Sequence, residues 1–549
     1  MSVDHRLAAS VVSIAKQMTA DLMTFYNGDK PGGTPGLLPD PYYWWEAGAM
    51  MGTLIDYWYY TGDDQYNKAV EQGLLFQVGD DNDYMPRNQT LTEGNDDQGF
   101  WGLAVMTAAE HKFPDPPPDE PQWLALAQAV FNTQAARWDT EHCNGGLRWQ
   151  IFKWNQGFDY KNSISQACFF ALGARLALYT GNNSYAEWAD KTWDWMIGVG
   201  YIDKHWRVID GAATGANCTD HVPYQFSYNA GGFILGAAAM YNYTEQPIWK
   251  ERLDNLLGAS RVFFTGPQKN IMTEVACEPV DRCNLDQHSF KAYVSRWLAA
   301  ITKWAPHTYD FVMPYLRASA VVAAKQCVGG KNGRMCGLKW NQNKYDGSTG
   351  IGQQMAALEV TMACMVKDRP APVTFESGGT SQGNPGSGGN DIGRNEPKPP
   401  SYKPITAADR AGAAILTAVV LVGMVTGIGW MLVDERSDKS ALQQLKGFQT
   451  SASATIVAAA SGKLRHCGKT AAGVSTTSKG RSTSSVSEKS QAIEATAVKI
   501  GRVRSESVGD QRRMSNRPIG WLHRNTNTQS RALDEMPIMP APSRPGDRD

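Results

Sequence analysis

Excess charge of either sign is absent from this 549-residue chain: formal net charge is −1. That removes any chain-wide reason to expect a nucleic-acid partner. The start of the chain lacks the continuous apolar run of a secretory signal. Met1 to Arg6 is polar and Ala8 to Met23 reads as an amphipathic helix, so an upstream segment is expected if the protein is exported. Metal-ligand spacing is also missing. His221 and His288 have no ligand-type residues at suitable intervals, and Asp80-Asp81-Asn82-Asp83 lacks the glycine and distal glutamate of a calcium loop. That acidic run is expected to be a solvated turn, and no metal or cofactor is expected.

Other scarcities are local. Asn-x-Ser/Thr sequons occur at Asn88, Asn182, Asn217 and Asn242, and none follows residue 400. Eight of the nine cysteines precede residue 370. Both facts point to an oxidising, lumenal or extracellular setting for the body. Cys327 with Cys336 and Cys277 with Cys283 are candidates to close short loops, although eight cysteines allow 105 pairings. Charge is missing altogether from Ala411 to Val433, a stretch long enough to cross a bilayer. The remaining 434–549 are poor in aromatics and carry 19 Lys+Arg against 11 Asp+Glu. The expected order is therefore a body over 1–370, a flexible Gly/Ser/Pro linker over 371–410, a single transmembrane helix over 411–433, and a disordered cytoplasmic tail over 434–549. Arg502, Arg504, Arg512 and Arg513 of that tail either meet anionic lipid or are simply solvated.

What the body does have is repetition. The helix ending Tyr60-Thr61-Gly62 is followed by Asp63-Asp64-Gln65-Tyr66. Tyr179-Thr180-Gly181 is followed by Asn182-Asn183-Ser184-Tyr185, and Tyr241-Asn242-Tyr243-Thr244 is a looser copy. Each marks the turn of a helical hairpin. The spacing is near 60 residues, with Phe113 to Pro118 filling the gap, and implies about six hairpins. Six hairpins closed in a ring make an all-α (α/α)6 barrel; an open solenoid would need polar end caps that the sequence does not show. Gly99 to Ala109 and Gly231 to Met240 have the small, apolar character of crowded inner helices, whereas Tyr185 to Met196 has the two-faced character of an outer one.

Asp96 and Asp97 stand side by side at the start of one inner-type helix, within Gly94-Asn95-Asp96-Asp97-Gln98-Gly99-Phe100-Trp101-Gly102. Asn95 reads as the N-cap with Gln98 completing a capping box. Acidic residues in a first turn commonly do no more than complement the helix dipole. Here the turn opens at the mouth of the expected ring, flanked by aromatics. Neighbouring helical residues point about 100° apart. Their carboxyls then fall roughly 5–6 Å apart, near the separation of retaining glycosidases. Mutual repulsion would leave one ionised nucleophile and one protonated acid. Some of the many aromatics are expected to stack on sugar rings.

Several motifs together resemble glycoside hydrolase family 76, in particular its fungal Dfg5/Dcw1-type mannan endo-1,6-alpha-mannosidases. They are Pro31-Gly-Gly-Thr-Pro-Gly-Leu-Leu, Pro41-Tyr-Tyr-Trp-Trp-Glu-Ala-Gly-Ala, Asn95-Asp-Asp-Gln-Gly-Phe-Trp-Gly, Lys161-Asn-Ser-Ile-Ser and Tyr228-Asn-Ala-Gly, and the likeness runs over about residues 10–366. The resemblance implies the (α/α)6 barrel, a retaining mechanism without metal, Asp96 as nucleophile and Asp97 as acid/base. It further implies cleavage of α-1,6-mannan, or transfer of the mannose core of a GPI glycan to wall β-glucan. Trp44, Trp45, Glu46, Asn162, Asp210, Tyr228 and Asn229 match polar or aromatic positions that would contact mannose; each is equally open to a structural role. Two departures stand out: Gln166 replaces an asparagine usual in the family, and a membrane span with a long tail replaces a GPI signal. The competing functions are a non-catalytic mannan-binding scaffold and a polysaccharide lyase built on the same barrel.

Overall fold

The computed structural model describes residues 3–388 except 343, the helix at 407–431, and residues 433, 437, 439–440 and 442–444. The sequence-based expectations for the linker over 389–406 and for the tail beyond 444 fall outside the described residues, and the helix at 407–431 takes in the linker's last residues, 407–410.

The body is a ring of helices in two layers. The inner helices are α2 (Trp44–Thr61), α4 (Asn95–Glu110), α6 (Ser163–Thr180), α8 (Ser227–Thr244), α10 (Phe290–Trp304) and α12 (Ile351–Met362). Each packs on the next and α12 returns to α2, which closes the ring. The outer helices are α1 (Val3–Met23), α3 (Asn67–Phe76), α5 (Trp123–Ala136), α7 (Asn183–Gly198), α9 (Pro247–Ser260) and α11 (Tyr309–Lys325).

Small residues make the inner ring possible. α4 is buried along its whole length, as an inner helix with neighbours on every side must be. A Cβ added to Gly99 would lie 2.6 Å from Cys168 Cβ of α6, and one added to Gly232 of α8 would lie 2.8 Å from Ala167 Cβ. Larger residues there would force the helices apart. The repeated Tyr-Thr-Gly endings have a simple cause. Gly62 and Gly181 sit at φ 73° and 70° just past α2 and α6, where their N–H groups bond back to Trp58 O and Ala177 O. This left-handed cap favours glycine.

All inner helices run in the same sense, so their N-termini meet at one mouth and their C-termini at the other end. The C-terminal end carries buried ion pairs, which line a second pocket with about 450 Å³ of empty space including its opening. Arg175 clasps Glu110 through Nε (2.9 Å) and Nη2 (2.6 Å). Arg296 pairs with Asp56 at 2.8 Å and with Glu359 at 2.6 Å, and also donates to Thr53 Oγ1 at 2.7 Å.

Two sequence-based expectations are corrected. The segment read as flexible linker over 371–410 begins as a strap on the barrel. Val373 N donates to Glu110 O, Phe375 N to Leu178 O and Asn384 N to Gln128 Oε1, while Ser381 Oγ accepts from Leu124 N. Its polar residues satisfy helix ends and side chains, a role that composition does not reveal. The acidic turn at 80–83 is not wholly solvated: Asp83 is buried and accepts from Thr133 Oγ1 at 3.0 Å.

The structure contains the disulfides Cys277–Cys283, Cys327–Cys336 and Cys143–Cys218, the last joining the loops before α6 and α8. Asn88, Asn182, Asn217 and Asn242 are exposed. Separately, α13 (Ala407–Met431) covers most of the uncharged stretch, with Ile415, Leu416, Val419 and Val420 exposed. Side chains at 408, 409, 425 and 428–430 lie outside the described residues. Among the described residues, no helix is long and apolar enough to cross a membrane.

The ion pairs at the C-terminal end yield a stability prediction. Arg296→Met would strand two buried carboxylates and should cost about 3–5 kcal/mol. Adding Asp56→Asn and Glu359→Gln should recover most of that loss. Denaturant unfolding of the single and triple variants measures both; a single variant with the wild-type midpoint would show the pairs to be dispensable.

Candidate active site

The N-terminal mouth holds a pocket lined by Trp45, Asp96, Asp97, Phe100, Trp149, Asn162, Asp210, Tyr228, Asp286 and Phe290, with about 470 Å³ of empty space including its opening. Four of these residues are aspartates and none is lysine or arginine.

Asp96 and Asp97 reach the pocket from the first turn of α4. The N-cap is Gly94 rather than Asn95, so Asp97 rather than Gln98 occupies the third helical position. Asp97 Oδ2 accepts the Gly94 N–H at 2.7 Å. Asn95 instead pins the 148–149 loop to the helix start, its Oδ1 accepting from Arg137 and its Nδ2 donating to Arg148 O. Gln98 points away, donating to Asp83 O.

Gly94 also sets how closely the carboxyls approach. A Cβ there would press on Asp96 Oδ1 and lie 3.1 Å from Asp97 Oδ2. Those two oxygens therefore lie no more than about 5.5 Å apart, close enough for each charge to disfavour the other.

The two environments differ. Asp96 Oδ2 accepts from Asn162 Nδ2 at 2.8 Å, and its Oδ1 accepts the Asp97 N–H at 3.0 Å. Burial pushes Asp96 up to about 7, while these donors pull it back. Asp97 is held well above the usual carboxylate range, first by burial and then by the charge of Asp96, with the Gly94 N–H opposing. Hydrogen bonds to an anion favour ionisation and a neighbouring anion disfavours it.

A small sheet sets the far wall. β1 (Tyr160–Asn162) pairs antiparallel with β2 (Gly211–Ala213), which pairs with β3 (His221–Val222). Asn162 ends β1 and caps α6, its Oδ1 accepting from Ser165 N. One side chain thus closes a helix and holds Asp96. Asp210 immediately precedes β2, and its Oδ2 accepts from Tyr160 at 2.9 Å. Burial lifts it to about 6 against hydrogen bonds from Tyr160 and Asn229.

The remaining sequence candidates divide. Trp45 and Tyr228 line the pocket; Trp45 Nε1 donates to Asp286 at 3.1 Å, and Tyr228 stacks on Phe290 at 3.6 Å. Trp44, Glu46 and Asn229 are not in the lining. Trp44 turns into the ring, stacks on Trp101 at 5.2 Å and donates to Gln77. Glu46 is fully buried and accepts the Tyr43 N–H at 3.0 Å, so it caps α2. Asn229 is fully buried behind Asp210. Gln166, the departure from the family pattern, bonds both N and O of Leu147 and so secures a loop rather than a ligand.

Sequence reasoning missed Phe100, Trp149, Phe290 and above all Asp286. Asp286 lies in a short 3-10 turn before α10 and is lifted to about 7 by burial, with the Trp45 indole N–H opposing. It adds a third negative group beside the pair and raises both partners. Phe100, one turn into α4, belongs to the same sequence motif as the paired acids.

Comparison with known proteins gives the following. The description "Glycosyl hydrolase family 76" matches residues 10–376. Mannan endo-1,6-alpha-mannosidase DCW1 of Saccharomyces cerevisiae is 47% identical over 415 residues, covering 75% of this chain and 90% of that protein. Mannan endo-1,6-alpha-mannosidase DFG5 of the same yeast is 43% identical over 435 residues, covering 79% and 94%. The crystal structure of Dfg5 from Chaetomium thermophilum in complex with glucosamine is similar at 49% identity and a TM-score of 0.67, covering 70% of this chain and 96% of that one. The GH76A alpha-1,6-mannanase from Salegentibacter, at 16% identity and a TM-score of 0.51, shares the helical barrel over 64% of this chain and 98% of that one. With two thirds of its length matched by the family description and close relatives spanning most of their own length, the chain belongs to glycosyl hydrolase family 76.

Proposed function

We propose that this glycoside hydrolase is a retaining mannan endo-1,6-alpha-mannosidase. The observation that carries this reading is the pair of buried, adjacent and unequally hydrogen-bonded carboxyls Asp96 and Asp97 in a pocket walled by aromatics. The curated relatives named above supply the substrate class.

In this reading Asp96, the better solvated by donors, attacks the anomeric carbon. Asp97 gives its proton to the departing glycosidic oxygen, and a mannosyl ester forms on Asp96 as the glycosidic bond breaks. Asp97, now ionised, takes a proton from water or from a sugar hydroxyl, whose oxygen attacks the same carbon and frees Asp96. Asn162 holds Asp96 in line. Asp286 and Asp210 are placed to accept hydrogen bonds from sugar hydroxyls. When a sugar hydroxyl replaces water, the reaction is transfer, and we extend the proposal to moving the mannose core of a GPI glycan onto β-glucan. Product analysis with and without a β-glucan oligosaccharide tests that extension.

We further place the barrel on the lumenal or outer side of a membrane, with the uncharged 411–433 as the tether and the tail on the cytoplasmic side. Four exposed sequon asparagines, three disulfides and an uncharged 411–433 support this placement. The linker, tether and tail keep the residue ranges given from the sequence, apart from the strap.

Asp96→Asn and Asp97→Asn should each lower kcat on α-1,6-mannan by a thousandfold or so. The Asp97 variant should keep the first step on mannosides with an activated leaving group, because no proton is then needed. Full activity of either variant would overturn the reading.

The pH behaviour of stability has a definite sign. Asp96 is at about 7 when folded against 3.8 when free. The folded state therefore holds a proton that the unfolded chain has released, and stability falls as pH rises through that window. Asp96→Asn should be more stable than wild type at pH 8, by about 1 kcal/mol, and show no gain at pH 4. Thermal unfolding at both values measures this; an equal difference at both would refute the linkage.

Asp286→Asn removes a negative neighbour of Asp97 and should move the alkaline limb of kcat/KM to lower pH. A uniform loss with no shift of the limb would assign Asp286 to substrate contact alone.

A further inference from the structure

The pocket accounts for only part of the mouth. Trp149 lines it, and the chain then runs outward through Phe152 to Trp154. This 149–155 segment is fastened to the catalytic helix start. Asn95 N donates to Trp149 O at 2.8 Å, Ile151 N to Glu93 O at 3.3 Å, and Gly94 forms a β-bridge with Gln150. Asn155 N closes a turn on Phe152 O at 3.0 Å, and Asn155 Nδ2 reaches Thr90 O at 3.3 Å in the neighbouring rim loop.

On that turn Phe152 and Trp154 stack, with ring centroids 4.9 Å apart and planes 11° from parallel. Phe152 is buried at 7% exposure while Trp154 is 42% exposed. One face of the indole is thus supported and the other is open. Among the described residues, Trp154 is the one exposed tryptophan; the remainder are buried or half-buried. An open, flat, pre-positioned aromatic face is costly to leave in water and suits the apolar C–H face of a pyranose ring.

We propose that Trp154 is an additional sugar-binding platform, taking one mannosyl ring of an α-1,6-linked chain that extends out of the pocket past Trp149. The inference rests on the mannanase reading above and adds a subsite to it. The observations favour a sugar over a protein partner because the platform is a single supported ring on the loop that carries the pocket residue Trp149, not a broad apolar patch. The 149–155 segment also ties affinity to placement. A ring bound on Trp154 is held by the same loop that is bonded to Gly94 and Asn95, beside the reacting carboxyls.

The test uses the full chain and α-1,6-mannooligosaccharides of two to six units. In the wild type kcat/KM should rise in a step at the chain length that first reaches the platform. Trp154→Ala should remove that step, with a loss of about five- to tenfold confined to the longer substrates. Trp154→Tyr, which retains a flat face, should restore most of it. Binding to an Asp97→Asn background, followed by tryptophan fluorescence or saturation-transfer NMR, should show the same dependence on length. Loss that is equal at every length, or no loss at any, would overturn the platform. Absence of cleavage of every oligosaccharide by the wild type would instead overturn the mannanase reading, and binding in the Asp97→Asn background would still decide the platform.

Discussion

Burying two adjacent carboxyls is the constraint on which the rest of the mouth depends. Asp96 and Asp97 are 9% and 7% exposed. Isolated charges at such depth are prohibitively costly, so the surroundings must supply donors or hold a proton. Both means are in use. α4 begins at the pair, so its free N–H groups and dipole face negative charge. The Gly94 N–H goes to Asp97 and the Asn162 amide goes to Asp96. What the donors do not offset appears as raised proton affinity, greatest where donors are fewest. The chemical inequality of the two carboxyls is therefore a product of backbone position: Asp97 sits at the third helical position with one capping bond, while Asp96 faces the cap of the next inner helix.

The other end of the ring solves the opposite problem. There the inner helices end, carbonyls accumulate, and Arg175 and Arg296 pair directly with Glu110, Asp56 and Glu359, two cations to three acids, with burial holding Asp56 well above the usual carboxylate range. His111, placed beside both guanidiniums, is pushed down to about 3 by burial and by those cations, and so stays neutral. This end is braced by ion pairs and stapled by the strap at 373–388. The mouth is left with four acids and no lining cation. A closed ring with parallel inner helices makes that division natural, since every N-terminus faces one way and every C-terminus the other. Ion pairs can brace one end while the other keeps a pocket lined by acids alone among its charged groups.

Much of this was legible in the sequence because it rests on local rules. The Tyr-Thr-Gly endings announce left-handed caps. The small-residue stripes of α4 and α8 announce crowding, and paired acids before such a stripe announce a helix start at a mouth. Asn162 was named only through the resemblance of its motif to the family, and its place as the cap of α6 came from the structure. The failures are equally physical. Trp44 and Trp45 differ by about 100° around α2, and which of them faces the pocket depends on how the helix is rotated in the ring. Tyr228 and Asn229 pose the same problem on α8. Asp286 lies in irregular chain between helices, where no periodicity marks it, and its importance comes only from the fold bringing it to Trp45. The strap resembled a linker because glycine and serine look alike whether they face water or satisfy a helix surface.

Glycine at position 94 shows how tightly these levels are joined. Its φ of −102° is open to any residue, so backbone freedom does not explain it. The space where a Cβ would stand is already taken by the Asp96 carboxylate and the Trp149 carbonyl, with Asp97 Oδ2 3.1 Å away. The same residue's N–H binds Asp97 and its backbone pairs with Gln150. A side chain at this position would therefore separate the acids, loosen the cap and displace the rim loop at once. The helix start, the pocket and the rim thus meet at a position with no room for a side chain.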